Sequence, residues 1–89
     1  MDKFIGFLDG LMDGDRKAVL TIQSGNGNHL YLTERFDGYD EYDDSIELYN
    51  YDNNMSLLIK KESIVLCENG EFEIGLGDAT LFMSSVEVI

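Results

Sequence analysis

The chain has 89 residues, of which 44% are hydrophobic and 27% are charged, a composition typical of one small globular domain. Eighteen Asp and Glu residues against six Lys and Arg residues give a formal net charge of −12. This balance argues against direct binding to DNA, RNA or an anionic membrane, because each of those partners requires cationic groups on the protein.

The chain contains one cysteine, Cys67, and one histidine, His29. A single cysteine allows no intramolecular disulfide and no multi-cysteine metal site, and its apolar neighbours favour a buried, inert thiol. The first residues lack the cationic start of a signal peptide, and no stretch has the length and hydropathy of a membrane span. We therefore expect a cytoplasmic protein that carries no metal or other cofactor and contacts no membrane.

Hydrophobic periodicity predicts one helix followed by β-strands. Apolar residues from Phe4 to Met12 recur at helical spacing, which predicts a short amphipathic helix over about residues 2–13. After it, β-rich segments alternate with turns of Gly, Asn and Asp. The predicted strands cover about residues 17–24, 28–36, 45–51, 55–60, 63–68, 71–76 and 79–88.

The turns of the chain indicate how these strands are connected. The residues Gly25–Asn28 tolerate positive φ and predict a β-hairpin, and the pair Asn69-Gly70 between two apolar runs predicts a second one. Short turns without intervening helices argue against a parallel α/β fold. We predict an α+β fold of one domain, in which the helix packs on a mainly antiparallel meander of about six strands, drawn from the seven segments, that can curl toward a barrel.

One stretch, Glu34–Asp52, differs from the rest of the chain. It contains eight carboxylates, one cation and four of the five tyrosines. The aromatic residues between Phe36 and Tyr49 lie at helical spacing, but like charges four residues apart and the weak helix propensity of Asp oppose a helix. We predict a loop with at most one helical turn, followed by a strand from about Ser45 to Tyr51.

The acidic stretch allows two interpretations. It is either a solvated loop that keeps the protein soluble and protects strand edges, or a binding face for a positively charged partner. The tyrosines favour the second interpretation, because they supply large, rigid contact areas at low entropic cost. The predicted partner-binding residues are Asp37, Tyr39, Asp40, Glu41, Tyr42, Asp43, Asp44, Glu47, Tyr49, Tyr51 and Asp52.

The sequence contains no catalytic signature. Gly75–Asp78 is a GxG fragment that lacks the third glycine and the following helix of a nucleotide-binding loop. His29 has no second histidine with which to form a zinc site, and a pair of His29 with Cys67 would need an orienting group and a cleft. We therefore expect a protein that is not an enzyme.

The segment FDGYDEYDDSIELYNYD, together with the small size and the acidity of the chain, resembles the small acidic inhibitors of phages and mobile elements. That group includes anti-CRISPR proteins and DNA-mimic anti-restriction proteins. The resemblance implies an inhibitor that occupies the basic nucleic-acid-binding groove of a CRISPR effector or another nuclease in a bacterial cytoplasm. Two alternatives stay open: an immunity or antitoxin protein that caps a basic toxin, and a structural module that forms homodimers through its exposed helix or the edge of its last strand.

Overall fold

The computed structural model describes residues 2–13 and 16–87, and within those ranges it contains one α-helix and eight β-strands in two sheets. The predicted α+β class is therefore confirmed. The helix, α1, spans Asp2–Met12, and a single 3₁₀ turn spans Lys61–Ser63. The strands are β1 (Arg16–Ser24), β2 (His29–Glu34), β3 (Gly38–Glu41), β4 (Ser45–Asn50), β5 (Met55–Lys60), β6 (Ile64–Leu66), β7 (Phe72–Gly75) and β8 (Ala79–Glu87).

The strands form two separate antiparallel sheets. The larger has the order β2-β1-β8-β7-β6 and the smaller the order β3-β4-β5. The last strand pairs with the first along its whole length, from Arg16 opposite Glu87 to Ser24 opposite Ala79. The prediction of a single meander that curls toward a barrel is therefore wrong, because the β1–β8 pairing joins residues too far apart in sequence for local patterns to indicate. Residue 88, at the end of the last predicted strand, lies outside the described residues.

A single hydrophobic core joins α1 to the inner faces of both sheets. An isolated helix of this length is marginal in water, and α1 is stabilised by burying one apolar side. The ring of Phe4 packs edge-on against Phe72 of β7, with 5.0 Å between the ring centroids. In β4, buried and half-buried side chains alternate as the period of a strand requires. The buried apolar side chains are Phe4, Leu8, Leu11, Ala18, Leu20, Phe36, Ile46, Leu48, Ile59, Phe72, Ile74, Leu81 and Met83.

Within the acidic stretch, Gly38–Glu41 forms a strand rather than part of the predicted loop. Strand β3 pairs with β4 from Gly38 opposite Tyr49 to Glu41 opposite Ile46. The N–H of Tyr42 donates to the carbonyl oxygen of Ser45 at 2.8 Å, which closes a hairpin around a two-residue turn. The prediction failed because pairing with a neighbouring strand overrides the low β-propensity of Asp and Gly.

Both hairpins predicted from turn residues are confirmed. Strands β1 and β2 are joined by a turn in which Gly27 has a φ of 95°, and β6 and β7 by a turn in which Gly70 has a φ of 86°. The second turn begins earlier than predicted, because the N–H of Cys67 already donates to the carbonyl oxygen of Glu71 at 2.8 Å. Cys67 therefore lies at the turn and is half-buried, whereas the sequence predicts a buried thiol.

A buried asparagine at the end of β4 connects two loops. Asn50 is 6% exposed and occupies the inward position that follows Ile46 and Leu48. Its Nδ2 donates to the carbonyl oxygen of Arg35, and its Oδ1 accepts from the N–H of Asn53 at 3.0 Å. The side chain thereby joins the segment before β3 to the turn between β4 and β5.

We predict that Asn50→Ala lowers the free energy of unfolding by about 1–3 kcal/mol, because the substitution leaves the half-buried hydrogen-bonding groups of Arg35 and Asn53 without their side-chain partner. Urea unfolding followed by circular dichroism measures the change. The matched control is Asn28→Ala in the exposed β1–β2 turn, which we expect to cost no more than about 0.5 kcal/mol. Equal effects of the two substitutions would contradict the role of Asn50.

Candidate functional site

The outward face of the small sheet brings together five of the eleven predicted partner-binding residues. The alternation that buries Ile46 and Leu48 turns Glu47 and Tyr49 of β4 outward. The strand register then places Asp40 of β3 and Leu58 of β5 on either side of Glu47. We call this surface the acidic–aromatic face, defined by Asp40, Tyr42, Glu47, Tyr49, Tyr51 and Leu58.

Two carboxylates lie directly opposite each other at the centre of this face. Asp40 and Glu47 are cross-strand partners, an arrangement that places their Cβ atoms roughly 4.5–5.5 Å apart and destabilises the sheet. The hydroxyl of Tyr42 donates to Oε1 of Glu47 at 3.2 Å and so disperses part of the charge. The one cation on the same face, among the residues described, is Lys60 opposite Ser45, and it makes no ion pair within them.

An aromatic pair occupies one end of the face. The rings of Tyr49 and Tyr51 lie 5.1 Å apart between centroids at an angle of 44°, and Tyr51 is 73% exposed. The ring of Tyr49 extends across Gly38 of the neighbouring strand. A Cβ atom at Gly38 would lie 2.7 Å from the Tyr49 hydroxyl oxygen and 3.0 Å from two of its ring carbons. Glycine at this position therefore allows the ring to lie flat over β3.

The turns at both ends of the small sheet carry the remaining exposed acids. At the aromatic end, Oδ2 of Asp37 accepts from the N–H of Tyr51 at 2.7 Å and fixes the turn that presents this tyrosine. Asp52 is exposed in the same turn. At the opposite end, Asp43 and Asp44 form the exposed two-residue turn between β3 and β4. Acidic groups therefore flank the face along its length.

The structure separates two predicted residues, Tyr39 and Glu41, from the face. Both occupy inward positions of β3, opposite Leu48 and Ile46. The hydroxyl of Tyr39 donates to Oδ1 of Asp9 at 2.6 Å, which links the small sheet to α1. Oε2 of Glu41 lies 2.7 Å from Nζ of Lys61, so its charge is paired. We infer that these two side chains stabilise the fold rather than contact a partner.

Sequence reasoning missed two residues of the site. Leu58 is 60% exposed beside Glu47, but it belongs to the uninterrupted apolar run Leu57–Ile59, which does not reveal which residue points outward. Gly38 lies in the segment that the sequence predicts as a loop. Its role under the Tyr49 ring becomes evident only when the pairing of β3 with β4 is known.

Hydrogen bonds on both sides of the small sheet raise the pKa of three tyrosines. For Tyr42 the main cause is its hydrogen bond to Glu47, and for Tyr39 it is the bond to Asp9. The pKa of Tyr49 is raised by a hydrogen bond with Tyr51, and then by desolvation and the charge of Asp40. These phenols are therefore neutral hydrogen-bond donors around neutral pH.

Comparisons of the chain with protein-family models, curated proteins and solved structures find no match. Within residues 2–13 and 16–87, no three side chains of His, Cys, Asp or Glu are grouped so that they could hold a metal ion. None of the helical structure described has the length and hydropathy needed to cross a membrane. The acidic–aromatic face places carboxylates between exposed tyrosine rings and an exposed leucine.

We predict that Glu47→Gln lowers the pKa of Tyr42, because the substitution removes the charged acceptor that favours the protonated phenol. Tyrosines labelled with ¹³C at Cζ and followed by NMR report each titration separately. In the wild type, the hydrogen bond of Tyr42 contributes its full stability below the ordinary tyrosine pKa of about 10 and loses it as the pH rises through the folded pKa. An unchanged Tyr42 titration in Glu47→Gln, or an equal shift in the control Glu68→Gln on the β6–β7 turn, would contradict this contact.

Proposed function

We propose that the protein is a non-enzymatic inhibitor whose acidic–aromatic face binds the basic nucleic-acid-binding groove of a CRISPR effector or another nuclease. In this role it acts in the cytoplasm of a bacterial cell as a nucleic-acid mimic or a steric block. The observation that carries the proposal is the pairing of Asp40 with Glu47 on the same outward face as three tyrosines. A protein under selection for stability alone gains nothing from two carboxylates opposite each other.

Binding to a cationic groove would relieve the repulsion in the face. Opposed like charges destabilise a sheet by roughly 0.2–1 kcal/mol, and a guanidinium group between them converts that cost into attraction. Arginine side chains in such grooves form charge-assisted, often bidentate hydrogen bonds with carboxylates. Asp40 and Glu47 are direct cross-strand neighbours, so one guanidinium group can reach both carboxylates.

The aromatic residues of the face supply the apolar part of the contact. Tyr51 and Leu58 are more than half exposed, and Tyr42 is 47% exposed. Tyrosines are enriched among residues that dominate binding energies, and their rings also attract arginine through cation–π interactions. A depression of about 170 Å³ beside Tyr49, Tyr51 and Ser56 offers space for one side chain of the partner.

The acids of the small sheet form a row of negative groups. Asp40 and Glu47 stand on neighbouring strands, which lie about 4.7–4.9 Å apart. The exposed turn at Asp43 and Asp44 extends the row of negative groups beyond Asp40 and Glu47. Binding through such a row is accelerated by electrostatic attraction and weakens as salt is added.

We predict that the quadruple variant Asp40→Asn/Glu41→Gln/Asp43→Asn/Asp44→Asn loses inhibition. The assay measures whether the protein prevents purified CRISPR effectors and nucleases from binding labelled target DNA in mobility-shift gels. The wild type should block DNA binding, and the variant should require at least about tenfold more protein, a loss of about 1.4 kcal/mol. Urea unfolding confirms that the variant is folded.

The control carries the same change of charge elsewhere. Glu62→Gln/Glu68→Gln/Glu71→Gln/Asp78→Asn also removes four negative charges, but all four positions lie outside the acidic–aromatic face. We expect this variant to inhibit like the wild type. Equal inhibition by the two quadruple variants, or inhibition by neither, would show that the arrangement of the acids is irrelevant and would contradict the proposal.

Single substitutions test the geometry more finely. Within the quadruple variant, we expect Asp40→Asn to weaken inhibition more than Glu41→Gln, because Glu41 is already paired with Lys61. The comparison uses the same mobility-shift assay at two salt concentrations. A larger effect of Glu41→Gln would place the contact on the other side of β3.

A further inference from the structure

The outward face of the five-stranded sheet is a second surface, distinct from the acidic–aromatic face. The register aligns one row of side chains across all the strands of this sheet. It runs from Tyr31 of β2 through Thr21, Phe82 and Glu73 to Val65 of β6. We call this surface the neutral face, and it also includes Lys17 opposite Val86.

Within the described chain, no element covers this face. The residues that alternate with it, Ala18 and Leu20 in β1 and Met83 in β8, belong to the core that α1 and the small sheet share. Along the row and beside it, apolar side chains remain in solvent: Tyr31 is 63% exposed, Val65 55% and Val86 45%. Phe82 at the centre of the row is half-buried, so the face carries apolar side chains at its centre and at both edges.

The charges on the neutral face favour a second copy of this chain as its partner. Among the described strand residues, the face carries one cation, Lys17, and one carboxylate, Glu73, whereas the whole protein has a net charge of −12. Neither of these two residues forms an ion pair with any other described residue. Two copies of so acidic a chain repel each other over most of their surfaces. A surface whose own charges sum to zero is where that repulsion is weakest.

We propose that two copies of this chain pack neutral face to neutral face in a two-fold symmetric dimer. In a symmetric interface each contact occurs twice, so a residue must meet its complement on the other copy. On β8, Ser84 lies midway between Val86, which is opposite Lys17, and Phe82, which is opposite Glu73. A two-fold axis that lies in the interface at Ser84, perpendicular to the line from Lys17 to Glu73, therefore places Lys17 of each copy over Glu73 of the other.

The area of the neutral face limits how tightly two copies can bind. Strand spacings of about 4.8 Å and a rise of about 3.3 Å per residue give a face of roughly 24 by 30 Å at its longest strands. Shorter edge strands reduce the contact to about 500–600 Å² per copy, so the total lies near the lower limit of ~1,000 Å² for a specific interface. The dimer is consequently weak, with a dissociation constant on the order of micromolar.

The response of binding to added salt distinguishes this interface from the proposed inhibitory site. Added salt screens the repulsion between two copies and leaves apolar contacts intact, so the dimer strengthens with salt. Binding of the acidic–aromatic face to a basic groove weakens under the same conditions. Failure of either proposal therefore leaves the other standing.

Sedimentation equilibrium of the full chain, from about 1 µM to about 1 mM at low and high salt, tests the dimer across the affinity range of a weak interface. We expect Lys17→Glu and Glu73→Lys each to raise the dissociation constant at least about tenfold, since each places like charges at both symmetric contacts. The double variant Lys17→Glu/Glu73→Lys should recover the wild-type constant, because the pair is restored with reversed sign. Val86→Glu, at an exposed position, should also weaken the dimer without unfolding the chain.

The matched control is Lys60→Glu, which changes the net charge as Lys17→Glu does but lies on the small sheet. We expect Lys60→Glu to leave self-association close to that of the wild type. A wild-type protein that stays monomeric over the whole range would overturn the proposal. A dimer that responds equally to Lys17→Glu and Lys60→Glu, or that the double variant fails to restore, would overturn it as well.

Discussion

The alternation of side chains along β4 is the constraint on which the rest of the molecule depends. Its inward positions supply Ile46 and Leu48 to the core and end at Asn50, whose hydrogen bonds hold the two adjoining loops. Its outward positions supply Glu47 and Tyr49 to the acidic–aromatic face. Because the period of a strand is two residues, a shift of register by one residue would exchange these sets. The core thus fixes which side chains of β4 face outward.

The same alternation gives different structural roles to acidic and aromatic residues that look equivalent in the sequence. Tyr39 and Tyr42 are three residues apart, yet the first binds Asp9 of α1 and the second binds Glu47 on the outward face. Asp37 fixes the turn that presents Tyr51 through a backbone hydrogen bond. Some members of the acidic stretch therefore build the surface, and others are available for contact on it.

Local signals in the sequence predicted the parts of the fold that depend on local geometry. The helix followed from the spacing of Phe4, Leu8 and Leu11, and the two hairpins from turn residues that include Gly27 and Gly70. The pairing of β1 with β8 and the strand character of β3 depend on contacts between distant or unlike segments, which composition does not encode. The same limit applies to the candidate site. Its acids and tyrosines are evident in the sequence, but which of them share a face depends on the register between β3 and β4.

The short distance between its acids, rather than the net charge of the protein, determines how the acidic–aromatic face acts on a cation. At physiological ionic strength the screening length is about 8 Å, so only charges within roughly that distance act together on a bound cation. Asp40 and Glu47 meet this condition as direct cross-strand neighbours. The same screening allows the neutral face, on the outward side of the other sheet, to behave independently of the −12 carried by the whole chain. A small acidic protein can therefore present one surface that attracts cations and another that tolerates its own copy.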